Sequence, residues 1–548
     1  MFRQTSSQTS MFEINNIIPG ALPQDDWSYT YRDKALPLID ESKFKHFYSE
    51  KVGHPNASVQ VMISLLIFMG TEKLTWRAVE FQYPRRLDWM NATNTPLGEA
   101  FIDHTTIFKF YQRLETDDTA RELFTEITDR FMKLCGTSFN MQRSDSFYVH
   151  GWLKTLTRYG LFKETIRKFL QALRKQKPGV YKKIKGSLSL PYLDKDFDIT
   201  EKDQELARKK VAMMARDLYQ LKCAFEHHKQ IQHYATFKTL STVFSQQCQV
   251  KQQADSDPEI IIKDKPDKDA ICTPHNPDAR FVRKGKQRVT GDKAVITETC
   301  NPDNKTQFIT DVDVVESTKH DSKIQAEVQD RLIKNKHKPE KQFEDAGFIN
   351  GQTILESQEK GIDLEGPTAG RSQSFEAYND KDRPFDAGDF DTTFDEHSDT
   401  NDTSELIVNK CPDNQAAKNQ RRSEKTGKIL VHFDAVICSA CTVKERCPVK
   451  IGKRVATYTV HKAEYVGAVR HHNYMSDTGY RKQCAIRAGV EATVSELTRA
   501  HGARRSRRRK PERTKLQLIF AALACNVKRF IRHGEQYAYE ELIPATIG

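Results

Sequence analysis

The sequence predicts an α+β protein: a helical amino-terminal domain, then a mixed-sheet domain interrupted by large insertions. Three observations lead there. Apolar residues recur at helical spacing through residues 56–135. Alternating strand-like runs begin only after residue 138, and from there strands alternate with helical stretches. Two long segments break that alternation, a helical and polar one at about 165–290 and a polar, Cys-rich one at about 368–455. With 548 residues the chain is long enough for two to four domains, divided here into residues 1–135 and 136–548.

Residues 1–55 are irregular. VQVMISLLIFMG carries apolar residues on more than one face, as a buried helix does. In DHTTIFKFYQRLE, Asp103 or Thr105 caps a helix whose Ile107, Phe108, Tyr111 and Leu114 share one face. That helix reads either as a plain core segment or as part of a helix-turn-helix-like unit presenting Lys109, Gln112 and Arg113 to DNA. Phe139–Val149 alternates as a strand. Helical stretches follow from about Gly151 to Lys177 and from Thr200 to Gln247, and residues 249–295, polar and rich in Asp, Lys and Pro, are expected to contain a mobile loop. Lys293–Thr299 and Gln307–Val315 are strands and Ser322–Lys334 is a helix. KQFEDAGFINGQTILESQEKGIDLEGP reads as strand, turn, helix, strand. Residues 368–430 are low in apolar content apart from Leu406–Val408. Two helices close the chain, Tyr480–Arg499 and Thr514–Arg532.

The charge balance is 86 Lys and Arg against 74 Asp and Glu, a net +12. The excess favours a polyanionic partner only weakly, and its distribution says more. Arg499–Lys510 holds seven basic residues and no acid, whereas Asp386–Glu405 holds eight acids and no Lys or Arg. The start lacks the apolar region of a secretory signal, and runs such as Leu518–Cys525 are far shorter than the ~18 residues of a membrane span. The expectation is a cytoplasmic, nucleoid-associated protein with reduced thiols and no membrane contact.

Three carboxylates sit where chemistry can use them. Asp145 lies within a strand, between Ser144 and Ser146. Asp345 ends one in FEDAGF, with Gly347 suited to a sharp turn. Glu491 lies on a helix where Arg487, Glu491, Ser495 and Arg499 recur every four residues. Each taken alone is better read as a surface ion pair. Asp311 and Asp313 on the preceding strand rival Asp345, and Glu496 rivals Glu491.

The segments QRSDSF, DAGFINGQTILES and RAGVEATVSELTRAHGARRSRRR, followed by KLQLIFAALACNVKRF, resemble the signature blocks of bacterial insertion-sequence transposases of the DDE superfamily. DHTTIFKFYQRL is similar to the helical domain preceding the catalytic domain in that group. The resemblance covers most of the chain. It implies an RNase H-like catalytic domain with one Asp on the first strand, one after the fourth and a Glu on a later helix. Matched by motif, these are Asp145, Asp345 and Glu491, which would hold Mg²⁺ or Mn²⁺. Their spacings, 345 − 145 = 200 and 491 − 345 = 146, require large insertions. The chain departs from the pattern at two places: Cys484 stands where relatives often have Tyr, and Thr498 where they often have Lys, with Arg499 one position further.

Cys438 and Cys441 form a C-x-x-C pair, with Cys447 after it and Cys411 before it. Four thiols so spaced suit a tetrahedral structural zinc site, or stand as unrelated thiols or a redox pair. A similar CP…C-x-x-C…CP pattern occurs in the resembling transposases. Arg504, Arg505, Arg507, Arg508, Arg509 and Lys510 lack helical periodicity and suit phosphate contacts that read no sequence. Arg487, Arg499, Lys109 and Arg113 join them as expected DNA contacts. The expected function is metal-dependent cleavage at the ends of a mobile element and strand transfer into target DNA. The synaptic complex is expected to hold a homodimer on double-stranded DNA. An inactive DNA-binding derivative and a nuclease that does not rejoin are the alternatives.

Overall fold

The computed structural model describes residues 2–4, 12, 14–49, 54–151, 156–194, 197, 201, 203–253, 256–267, 269–284, 287–372, 374–395, 405–507 and 511–540. The fold is α+β. We label its principal helices α1 (Val59–Thr71), α2 (Trp76–Gln82), α3 (His104–Leu114), α4 (Thr119–Leu134), α5 (Arg158–Gln176), α6 (Gln204–Phe225) and α7 (Ala235–Gln247). These are followed by α8 (Asp321–Lys334), α9 (Gly351–Glu359), α10 (Ala435–Ala440), α11 (Lys462–Ser476), α12 (Thr478–Cys484), α13 (Val490–Arg499) and α14 (Pro511–Gln536).

The central sheet uses β1 (Met141–His150), β4 (Arg280–Lys284), β5 (Gln287–Thr299), β6 (Ile309–Glu316), β7 (Lys341–Phe343) and β8 (Asp363–Glu365). Its order is β4-β5-β1-β7-β8, with β6 also on β5. Both β4 and β6 run antiparallel to β5, and β5 runs antiparallel to β1. The sheet then turns parallel, β7 on β1 and β8 on β7. Parallel neighbours need a crossover, and α9 provides it between β7 and β8. Gly351 lets α9 meet α11, because a Cβ there would lie 1.6 Å from the Ala463 carbonyl oxygen.

The largest core joins the amino-terminal helices to the sheet. Leu65 and Phe68 of α1, Phe124 and Phe131 of α4, and Ile296 and Ile309 of the strands are buried together with α14. The α14 helix is apolar around most of its girth (Leu518–Cys525 are all buried), as a helix packed on several sides must be. Residues between β1 and β4 build their own core from α5, α6 and α7. A third core lies between a sheet of order β11-β12-β14-β13, comprising Asn419–Arg422, Ile429–Asp434, Val455–Val460 and Lys450–Ile451, and a hairpin of β9 (Asp391–Asp395) and β10 (Glu405–Lys410). No helix among the described residues is long and apolar enough to cross a membrane.

One sequence expectation needs correction, and two segments carry strands that the sequence did not announce. Residues 249–295 hold more than the expected loop. They contain a hairpin of β2 (Cys248–Gln253) and β3 (Ser256–Ile262), then β4 and the start of β5. The segment is rich in charged residues, and its apolar runs, Ile260–Ile262 and Phe281–Val282, are too short to show the alternation that marks a strand. Residues 368–430, low in apolar content apart from Leu406–Val408, contribute β9, β10 and β11. The helix expected over Tyr480–Arg499 is broken by a 3₁₀ turn at Ala485–Gly489, for a reason found at the site below.

Candidate active site

Asp145 lies in the middle of β1, half-buried, and its Oδ1 accepts the Ser146 N–H at 2.7 Å. Its neighbour across the sheet is Ile296 of β5. Cross-strand partners share a face, and Ile296 is buried in the same core as Val490, the residue before Glu491. Asp345 stands in the turn two residues past β7, with its side chain 52% exposed. The β1–β7 register pairs Arg143 with Phe343, an offset of 343 − 143 = 200 residues. Asp145 and Asp345 differ by the same 200. Glu491 is exposed in the first turn of α13.

What seats α13 on the sheet is a buried charge network around Glu298, the strand partner of Arg143. The Glu298 carboxylate is fully buried. Arg143 Nε donates to Glu298 Oε1 at 2.8 Å, and Thr493 of α13 and Arg529 of α14 donate to Oε2 at 2.6 and 3.0 Å. Arg143 also donates to the Ile486 carbonyl at 2.7 Å. A Cβ on Gly489 would come within 2.0 Å of the Arg143 guanidinium. The turn before α13 therefore wraps Arg143, and this packing breaks the helix expected there. The same turn aims Arg487 at Asp345, with which it forms an ion pair.

Behind this face the sheet holds further carboxylates. Glu344 is buried, and Gln342 Nε2 donates to its Oε1 at 2.8 Å. Burial, with the negative charges of Asp145 and Asp321 nearby, holds the Glu344 carboxyl well above the usual range. Asp321, at the start of α8, accepts from Ser146 Oγ at 2.9 Å and pairs with Lys293 at 3.0 Å. Sequence reasoning missed Arg143, Glu298, Asp321, Glu344 and Arg529. Only Glu298, a carboxylate inside the strand KAVITET, carried a local signal.

The rival carboxylates are held in ion pairs. Asp311 is buried between Arg121 and Arg331, at 3.0 and 2.8 Å, and Asp313 meets the same two arginines and Lys515. Glu496 binds Lys528 and Arg529, and its carboxyl lies well below the usual range through its hydrogen bond with His501 and these cations. Asp311 and Asp313 tie α4, α8 and α14 to the sheet, and Glu496 ties α13 to α14.

Arg504 and Arg505 run beside the end of β1. His150 N–H donates to the Arg504 carbonyl at 3.0 Å, Arg505 bridges His150, and both side chains are exposed. Arg507 donates to the Leu74 carbonyl at 2.8 Å, linking this stretch to the loop after α1. Arg508, Arg509 and Lys510 lie outside the described residues. Arg499 is exposed at the end of α13. Lys109 and Arg113 are exposed on α3 and line one cleft with His54 and Tyr48, where Arg113 stacks 5.0 Å over the Tyr48 ring.

Cys411, Cys438, Cys441 and Cys447 line a single pocket at the end of the third core. Desolvation raises the Cys438 thiol, and the other three thiols add to it. Among the described residues, the groups whose donor atoms lie within 4.8 Å of one another are Glu496–His501–Cys525, Glu80–Asp103–His104 and Asp386–Asp389–His472. Neither the four cysteines nor Asp145, Asp345 and Glu491 form such a group. The first and third of those groups already hold Lys or Arg partners.

Two family models match the chain. The transposase domain DUF772 matches residues 22–113, and the transposase DDE domain matches residues 410–531. The first match spans α1 to α3. The second spans the four cysteines, Glu491 and most of α14, and stops short of Asp145 and Asp345. No curated protein and no solved structure matches. These two matches, over separate parts of the chain, support an insertion-sequence transposase of the DDE type.

Proposed function

We propose that this transposase cuts DNA at the ends of a mobile element and joins the freed strand to target DNA, using Asp145, Asp345 and Glu491 as one metal-binding set. The observation that carries the reading is the shared 200-residue offset of the β1–β7 register and of the two aspartates. Continued by two residues, that register would set Asp145 level with Asp345. The ion pair of Arg487 with Asp345 and the seating of Thr493 on Glu298 support Glu491 as the third member. An RNase H-like unit is supported by the sheet itself. Without the short β4, its strands lie in the order β6-β5-β1-β7-β8, Asp145 is on the first in chain order and Asp345 follows the fourth.

The donor set is entirely carboxylate oxygen, which suits Mg²⁺ or Mn²⁺. Divalent cations there supply activation of the attacking oxygen and charge stabilisation of the leaving one. Asp145, fixed within a paired strand, and Asp345, on a turn, hold the two sides of the site. Arg487 neutralises Asp345 in the free protein and turns to a DNA phosphate when the site is loaded. Arg504 and Arg505, beside the end of β1, hold the DNA backbone without reading its sequence. Incubation of the purified protein with duplexes carrying the element's ends, target DNA and Mg²⁺ tests the reading. It predicts cleaved ends and joined products. Cleavage without joining would make the protein a nuclease, and binding without cleavage an inactive derivative.

The four cysteines fit a structural zinc site: all donors are thiols, and they face one pocket. Metal analysis is expected to find about one zinc per chain, lost in Cys441→Ser together with stability of the surrounding sheet. Zinc-free protein indifferent to chelators would exclude the site.

A further inference from the structure

The sheet that carries the cysteine pocket has two unlike faces. Its inner face, with Ile429, Val431, Phe433 and Tyr458, is buried under Phe390, Leu406 and Val408 of the acidic segment. Its outer face is open. The register sets Arg421, Leu430 and Thr459 in one row, and Asn419, His432, Thr457 and Lys450 in the next. Arg421, Asn419, Lys450 and Thr459 are exposed, and none of the others on this face is buried.

Charge is sorted in the same sense. Residues 419–460 hold nine Lys and Arg against three Asp and Glu, a net +6, half the excess of the whole chain. On the covered side, Arg371 pairs with Asp386 and Arg383 with Asp389. On the open side and in the adjoining turn between β13 and β14, no carboxylate among the described residues lies within 4.0 Å of the charged groups of Arg421, Lys450, Lys453 or Arg454. One ion pair there, Lys418 with Asp434 at 2.6 Å, is neutral overall. Unpaired cations on a surface cost self-repulsion, which a polyanion relieves.

We infer that this face is a second DNA-binding surface, which holds the phosphate backbone of double-stranded DNA apart from the carboxylate site. The inference rests on the reading of the chain as a DNA transposase. The charge favours a polyanion over an apolar or cationic partner. The polar rows between the cations (Asn419, His432, Thr457, Thr459) suit phosphate and sugar contacts, which position DNA without selecting sequence.

Binding of a short duplex to the full-length protein, followed by fluorescence anisotropy between about 50 and 200 mM salt, tests it. The variant Arg421→Ala/Lys450→Ala/Lys453→Ala/Arg454→Ala is expected to bind at least about tenfold more weakly. Its log affinity should fall less steeply with log salt, by about 0.9 for each phosphate that the variant no longer neutralises. Arg421→Lys/Arg454→Lys should keep the wild-type slope, and unchanged melting of both variants shows that the sheet still folds. A wild-type chain that binds while the alanine variant matches it in affinity and slope overturns this surface alone. A wild-type chain with no affinity for duplex overturns the surface and the transposase chemistry together.

Discussion

Asp345→Asn is expected to abolish DNA cleavage while leaving DNA binding nearly intact. Loss of one carboxylate removes several kcal/mol of charge stabilisation from the displacement. At about 1.4 kcal/mol per tenfold, the rate falls by about three orders of magnitude or more. The fold should not suffer, because the Asp345 side chain is half-exposed and stands in a turn. Its loss frees Arg487 for phosphate, so affinity should hold or rise slightly. Binding and cleavage of an end-containing duplex, measured side by side with Mg²⁺, separate the two effects. Normal cleavage by the variant would remove Asp345 from the set.

Glu298→Ala is expected to produce the largest loss of stability of any single change near the site. The carboxylate is fully buried and accepts from Arg143, Thr493 and Arg529. Its removal leaves Arg143 without a counter-ion and Arg529 with only Glu496. Breaking one partner of a buried pair costs about 3–5 kcal/mol, because the remaining charge stays desolvated. Urea unfolding should show a lower midpoint at unchanged slope. Cleavage should fall as well, since α13 and its Glu491 are seated on Glu298 through Thr493. Unchanged stability would mean that α13 is held by its apolar packing alone.

The two structural predictions differ in how far the sequence announced them. The strand carrying Asp145 was legible from its second half, where the buried Phe147 and Val149 alternate with half-exposed neighbours; in its first half the buried residues are the polar Gln142 and Ser144. The strand, turn, helix, strand unit around Asp345 was legible from its punctuation, FEDAGF followed by an Asn350 cap. The network around Glu298 was not, because it joins residues 155, 195 and 231 positions apart in sequence. No local pattern encodes a partner so distant. The break before α13 was illegible for the same reason, since Ala485–Gly489 reads as helix until Arg143 of another strand claims the Ile486 carbonyl. Asp311 and Asp313 show the converse. Their alternation on a strand made them plausible ligands, and only Arg121 and Arg331 reveal them as structural. The hairpin of β2 and β3 has little such signature: Cys248, Val250, Ile260 and Ile262 face the core of α5, α6 and α7, but most of the other residues are polar.

The central claim is that Asp145, Asp345 and Glu491 hold the same metal. Titration of Mn²⁺ into the full-length protein bound to duplex DNA, followed by electron paramagnetic resonance, tests it most directly. The account predicts that Asp145→Asn, Asp345→Asn and Glu491→Gln each weaken the same population of bound Mn²⁺, whereas Asp311→Asn does not. Wild-type Mn²⁺ binding in Glu491→Gln, with loss only in the aspartate variants, would contradict the three-residue set.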